Sequence, residues 1–374
     1  MSFITCAETW ITKKEQSDDG WAEIKPFLFL KLTTSDNLEG WGEAFTLPAR
    51  EKGIVEIIHD LMTTVSSLEN LSPEIFHTKA NQIADGHRGI DFSAATSAIE
   101  MSLWDIKAKR EDKPLSHLLS KNPKKKIPIY ANTWSEKSPN NETLSNRALE
   151  LLDQGYGGIK IYPLQNRTID QAVACVSLLR NNIGLETPLM LDLACPEDPN
   201  IALTLAPLIK EFKPYWFEEP IDGQSTRILA SIRKKTGLKI VTGEKQFGIQ
   251  HFVETLASDS ADIFNPDIAG VGSILDMIKI SEISEKNNVM ISPHCWNSMS
   301  VAASAMLHFC AANSNTEMAE IYPEYISNGL KYSDINFVIG NGCAELKDRP
   351  GLGINIDVKS LTKLSTDYKK TILS

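Results

Sequence analysis

From about residue 125 the chain alternates two hydrophobic patterns. Short apolar runs (IPIYA, GGIKIY, PLMLD, PYWFE, KIVTGE, ADIFN, VMISPH and EMAEIY) read as strands. Between them, segments such as NNETLSNRALELLDQG, TIDQAVACVSLLRNN and SILDMIKISEISEKN carry apolar residues at helical spacing. Eight strands with seven intervening helices imply a parallel sheet. Packed into about 200 residues, they fit a closed barrel better than an open doubly wound sheet. No GxGxxG follows the first strand, so the dinucleotide-binding alternative lacks its fingerprint; Gly270-Val271-Gly272 is too short and too late in the chain.

Residues 1–124 follow a different pattern. FITCAETWI and PFLFLKLTTS read as strands, with the turn-prone SDNLEG leading into WGEAF. Helical tracts follow at about 52–68 and 91–110, the second with Ala95, Ile99, Leu103 and Ile106 as a core stripe. Strands followed by helices indicate an α+β domain. The expected organisation is an α+β cap (1–124), a barrel (125–340) and a tail (341–374) that contains DRPGLGINID and returns to the cap.

At 374 residues the chain suits two domains. A net charge of -10 argues against nucleic acid, because phosphate binding needs a basic face. The one dense basic run, Lys124–Lys126, reads as a solvated loop before a strand. No signal peptide and no membrane span are expected. The six scattered cysteines, without a CxxC pair, indicate reduced thiols and a cytoplasmic setting; Cys195 and Cys295 read as packing residues.

The chemistry lies at the strand ends. Asp192, Glu218, Glu244, Asp267, His294 and Glu320 follow one another at intervals of 26, 26, 23, 27 and 26 residues. That spacing suits one strand plus one helix, so all six converge on one mouth of a parallel barrel. Asp192, Glu218 and Glu244 end strands three, four and five, where three carboxylates repel one another. A hard divalent cation resolves the repulsion, and all-oxygen ligation suits Mg²⁺. Glu219 is expected to point to the other side of its strand. Lys160 and Tyr162, two residues apart at the end of strand two, share a face toward the mouth. Asp267 and His294 end strands six and seven, where an Asp that accepts from one imidazole nitrogen makes the ring a general base. Glu320 ends strand eight near the same site.

The ordered motifs FEEP (217–220), TGE (242–244), NPD (265–267), SPH (292–294) and AE (319–320) resemble the enolase superfamily, mandelate racemase subgroup. WGEA (41–44), SAIEMSLWDIKAK (97–109) and PGLGI (350–354) resemble the cap of that group, so the likeness spans nearly the whole chain. It implies a modified TIM barrel, (β/α)7β, with an α+β cap built from both terminal regions. It also implies Mg²⁺ on Asp192, Glu218 and Glu244, an Asp267–His294 dyad, Glu320 near the enolate oxygen, a small carboxylate substrate, and a homo-oligomer (dimer or octamer). The cap loops at 14–21 and 45–52 would line the substrate pocket.

Two positions depart from the subgroup. The Lys-x-Lys of strand two is Lys160-Ile161-Tyr162, and the Asp-x-Asn of strand three is Asp192-Leu193-Ala194. A Lys-x-Tyr pair resembles some acid-sugar dehydratases, and Lys160 is expected to favour Tyr162 phenolate. The expected reaction is loss of water from an aldonic or aldaric acid to give a 2-keto acid. His294 would act as acid and as base, or Tyr162 as base in an anti elimination. A racemase, an epimerase and a lactone cycloisomerase are the alternatives, ahead of a non-catalytic binding protein. A zinc hydrolase barrel needs His-x-His at strand one, where Tyr130-Ala131-Asn132 stands. Arg50, Lys52, His87 and Arg88 are candidates for a distal substrate group.

Overall fold

A computed structural model describes residues 2–296 and 298–373. Eight parallel strands form the barrel: Lys126–Asn132, Ile159–Ile161, Leu189–Asp192, Trp216–Glu218, Ile240–Thr242, Ile263–Phe264, Met290–Ile291 and Ala319–Ile321. Strand eight pairs with strand one through Ala319, Glu320 and Ile321. Strands seven and eight meet through the single Ile291–Thr316 bridge. The barrel is therefore closed, with seven α-helices between its strands among the described residues.

Period-two alternation places the site. Tyr130, Met190, Trp216, Val241, Ile263 and Met318 pack together as the barrel floor. Two residues further along four of these strands stand Asn132, Asp192, Glu218 and Glu320, one layer nearer the C-terminal mouth. Tyr130 and Trp216 meet edge to face, with centroids 5.3 Å apart. The floor is buried and apolar, so charge entering the layer above it has little solvent to lean on.

The cap sheet is antiparallel, in the order Ser365–Ile372, Ile4–Thr12, Leu28–Thr34, Glu39–Ala44. Its first and last strands come from opposite regions of the chain, with Cys6 paired to Ile372. Before that return, Phe337–Gly340 and Cys343–Leu346 form a hairpin that lies antiparallel on the start of barrel strand one.

The helix Ile90–Arg110 is buried over nearly its whole circumference, not only along the Ala95–Ile106 stripe. It lies between the cap sheet and the barrel helix Ile274–Glu285. Gly40 and Gly42 allow the close approach: a Cβ there would fall 2.1 Å from Ser102 O and 2.0 Å from Ala98 O. A further cap helix, Pro73–Ala84, is capped by Ser72 and has a weak apolar face, so the periodicity of the sequence does not single it out.

The seam between cap and barrel holds buried carboxylates. Glu43 accepts from Met299 N (2.6 Å) and Ala302 N (2.8 Å), at the start of the barrel helix Ser300–Ala312. Glu100 accepts from Ile274 N (2.7 Å), Leu275 N (3.2 Å) and Trp104 Nε1 (3.0 Å). Asp105 accepts from Trp41 N (3.0 Å) and Leu352 N (2.8 Å). These acids satisfy backbone donors that a helix start or a loop would otherwise leave bare. Burial pushes Glu43 and Glu100 up to about 8, against the pull of those N–H groups. Among the described residues no helix is long and apolar enough to cross a membrane, and all six cysteines are free thiols.

Candidate active site

Asp192, Glu218 and Glu244 each place a carboxylate oxygen within 4.8 Å of the other two. Asp192 and Glu218 are adjacent partners in the strand three–four ladder, so the sheet register brings them together. Burial, then the neighbouring carboxylates, push Asp192 up to about 6 and Glu218 up to about 7, against the pull of Lys160. The backbone beside the triad is strained: Ala194, Cys195 and Glu219 adopt φ of 53°, 56° and 41°. Glu219 turns away from the triad, its Oε1 accepting from Thr242 Oγ1 (3.0 Å) and Gly243 N (2.9 Å). Three crowded oxygen donors, two of them driven toward protonation, fit a hard divalent cation.

Lys160 is fully buried, and its ammonium faces three carboxylates: Glu320 Oε1 at 2.6 Å, Glu218 Oε1 at 2.8 Å and Asp192 Oδ2 at 3.4 Å. Burial opposes the charge, but Glu218 and Glu320 outweigh it and hold the ammonium well above its usual range. Glu320 is buried as well, yet Lys160 and His294 keep it below the usual carboxylate range. Its Oε2 accepts from Cys295 N (2.7 Å).

Tyr162 lies beside Lys160 without a hydrogen bond to it; the ammonium is 5.7 Å from the ring centroid. Burial raises the phenol well above 10, and Asp192, Glu320 and Glu218 add to that rise. Lys160 opposes the rise and is outweighed, so the expected phenolate is not favoured. Burial is the main cause, and the ammonium that was to offset it already faces three carboxylates.

Asp267 and His294 stand side by side as an isolated parallel bridge beyond strands six and seven. His294 Nδ1 is 2.8 Å from Asp267 Oδ2, and Asp267 Oδ1 accepts from Ala269 N (2.9 Å). This pairing puts the proton on Nδ1 and leaves Nε2 facing Glu244 Oε2 at 3.3 Å. Burial lowers the imidazole, but Glu244 and Asp267 overcome it and lift His294 to about 9.

Three contributors escape a reading of strand-end acids. Asn132, two residues beyond the floor residue Tyr130, donates to both Tyr162 and Glu320. Asn265, inside the NPD motif, donates to Glu218 Oε1 (3.1 Å). Lys25 comes from the cap: its ammonium donates to Thr46 O (2.7 Å) and lies 4.1 Å from the Trp296 ring centroid, just past His294. Burial pulls Lys25 down to about 7 against Asp267 and Glu43. Side-chain neighbours on different elements revealed these residues, and strand-end spacing carries no such signal. The cap loop closes over strand one, with Trp21 Nε1 donating to Trp134 O (3.1 Å) and Glu23 N to Glu136 Oε2 (2.8 Å). The four distal candidates have other partners: Arg50 pairs with Asp91, Lys52 with Asp367, Arg88 with Asp276, and His87 meets Asp85 O.

Residues 143–360 match the family model described as enolase C-terminal domain-like. Residues 17–120 match the mandelate racemase/muconate lactonizing enzyme N-terminal domain. The chain belongs to the enolase superfamily. Within that superfamily, a crystal structure of an enolase from Sargasso Sea environmental sequencing is 44% identical, superposes with a TM-score of 0.96, and is covered to 98% by 99% of this chain. A D-galactarolactone cycloisomerase of Agrobacterium fabrum is 26% identical over 346 residues, 90% of each chain. A D-gluconate dehydratase of Thermoproteus tenax is 23% identical over 305 residues, which is 79% of this chain but 60% of that protein.

Proposed function

We propose that this enolase-superfamily enzyme is a Mg²⁺-dependent dehydratase of an acid sugar. It removes the proton next to the carboxylate and expels the β-hydroxyl, leaving an enol that becomes a 2-keto acid. Asp192, Glu218 and Glu244 would hold the metal, which when bound supplies positive charge against the charge developing on the substrate carboxylate. Lys160 adds a second, permanently charged group on the strand-two side. Asp267 fixes the His294 ring, and Glu244, whose free carboxylate does most to lift that ring to about 9, would be taken up by the metal, leaving Nε2 to take the α-proton and return a proton to the departing hydroxyl. Glu320, kept ionised by Lys160 and His294, balances both cations.

One observation carries this reading: the two walls of the mouth are unlike. The strand-six and strand-seven wall offers an oriented imidazole. The strand-two wall offers a saturated ammonium and a phenol held neutral. Racemisation needs a proton acceptor on both walls, whereas elimination by one base needs a single acceptor. Relatives named as D-gluconate/D-galactonate and D-galactonate dehydratases support the substrate class. A second reading, lactone cycloisomerisation, uses the same single base with a ring oxygen as leaving group; the cycloisomerase relatives favour it.

The test is a panel of aldonic acids, aldaric acids and their lactones with Mg²⁺ in D₂O, followed by NMR. A 2-keto acid from open-chain acids is the expected result. Turnover of lactones alone selects the cycloisomerase. Deuterium at C2 of recovered or epimerised acid, without keto acid, refutes both.

A further inference from the structure

Asn132 ends barrel strand one, beneath the loop that meets the cap. A side-chain amide has two orientations that differ by exchange of O and N, so its neighbours must decide between them. Here they do so without ambiguity. Asn132 Oδ1 is 2.7 Å from Trp134 N, a backbone donor. Asn132 Nδ2 is 2.8 Å from Glu320 Oε1, an acceptor. The reversed amide would set two donors against each other at the first contact and two acceptors at the second. With the amide so fixed, its remaining N–H points at Tyr162 Oη, 2.9 Å away.

Tyr162 Oη therefore receives a hydrogen bond. Among the described residues it makes no other, so its own proton is not spent inside the protein. The ring is held as well, lying edge to face on Trp134 at a centroid distance of 4.7 Å and 81° between planes. Trp134 is fixed in turn: its carbonyl accepts from Trp21 Nε1 and Tyr322 Oη, and its Nε1 donates to Glu136. One short segment, 132–134, thus sets both the tilt of the phenol and the direction of its hydrogen bond.

Resting on the proposed reaction, we propose that Asn132 is a positioning residue: it presents the Tyr162 hydroxyl as a hydrogen-bond donor to a substrate oxygen and ties it to Glu320. This role is the opposite of a phenolate base. It suits a polyhydroxy acid, whose hydroxyl and carboxylate oxygens all accept.

The test is a double-mutant cycle on kcat/KM with whichever acid the enzyme turns over, by elimination or by α-proton exchange. Tyr162→Phe is expected to lose about 10²-fold, as for a lost donor to a reacting substrate. Asn132→Ala also removes the bond to Glu320, but that loss is common to both backgrounds and cancels in the cycle. The substitution should therefore cost at least fivefold less in the Phe background than in the wild type. Equal cost in both would overturn the proposal. Asn132→Ser replaces the alanine variant in the same cycle if the latter does not fold. A readout free of catalysis is the ¹³Cζ resonance of Tyr162 in tyrosine-labelled, Mg²⁺-loaded enzyme, assigned by its loss in Tyr162→Phe. It should move in Asn132→Ala, and an unmoved resonance also overturns the proposal. This measurement holds even where no acid sugar is turned over.

Discussion

The barrel mouth and the cap–barrel seam both bury carboxylates, but they dispose of the charge in opposite ways. In the seam, Glu43, Glu100 and Asp105 each face backbone N–H groups. Acid and backbone satisfy each other there, with Lys109 also on Asp105, and the contact belongs to the fold. In the mouth, Asp192, Glu218 and Glu244 face one another, and Lys160 must neutralise several acids at once. A buried acid aimed at backbone donors is structural. Buried acids aimed at each other mark a site that waits for something positive.

The sharpest way to break this comparison is to remove one acid from each region. Asp192→Asn should cut turnover by about 10³-fold or more, since it removes a ligand for the charge-stabilising cation. Its melting temperature without divalent cation should equal or exceed that of the wild type, because a repelling charge is gone. A clear fall in that temperature would make the triad structural. Glu100→Ala should do the reverse. It strands three buried donors and should cost roughly 3–4 kcal/mol in denaturant unfolding, with activity per folded molecule retained.

The seam should also announce itself through pH. Burial holds His308 at about 4, below its ordinary 6.5, and its Nδ1 accepts from Ser116 N. Between those values the unfolded chain binds a proton that the folded chain refuses. Stability is therefore full above 6.5 and is lost as pH falls toward 4, by on the order of 3 kcal/mol from this residue. His308→Gln should flatten that stretch of the stability–pH curve, and an unchanged slope refutes the assignment. The mouth should respond to metal instead. At a hundredfold excess over its Kd, Mg²⁺ should stabilise the wild type by about 2.7 kcal/mol and Asp192→Asn far less.

The sequence made one of these regions readable and left the other nearly silent. Strand ends at a constant interval located Asp192, Glu218, Glu244, Asp267, His294 and Glu320, because a parallel barrel turns chain spacing into a shared mouth. Period two likewise placed Lys160 and Tyr162 together on one strand. Partner choice was not legible. Lys160 favours three carboxylates over the phenol, and no pattern within GGIKIYP encodes that preference. Glu43 and Glu100 stood inside recognisable motifs, yet their backbone partners lie 174 to 259 residues away. The helix Ile90–Arg110 shows only a stripe in its sequence, yet packing on two sides also buries small polar residues such as Ser93, Ser97 and Ser102.

The pairing of Ile4–Thr12 with Ser365–Ile372 has a consequence for biosynthesis. The first strand leaves the ribosome early, but one of its two neighbours follows more than 350 residues later. At about 5–20 residues per second, that strand waits roughly 20–70 s with one edge unpaired. The cap, although encoded first, is finished last, after the whole barrel has been made. A ribosome stalled just before Ser365 would hold a complete set of mouth acids beneath a cap sheet still missing its edge.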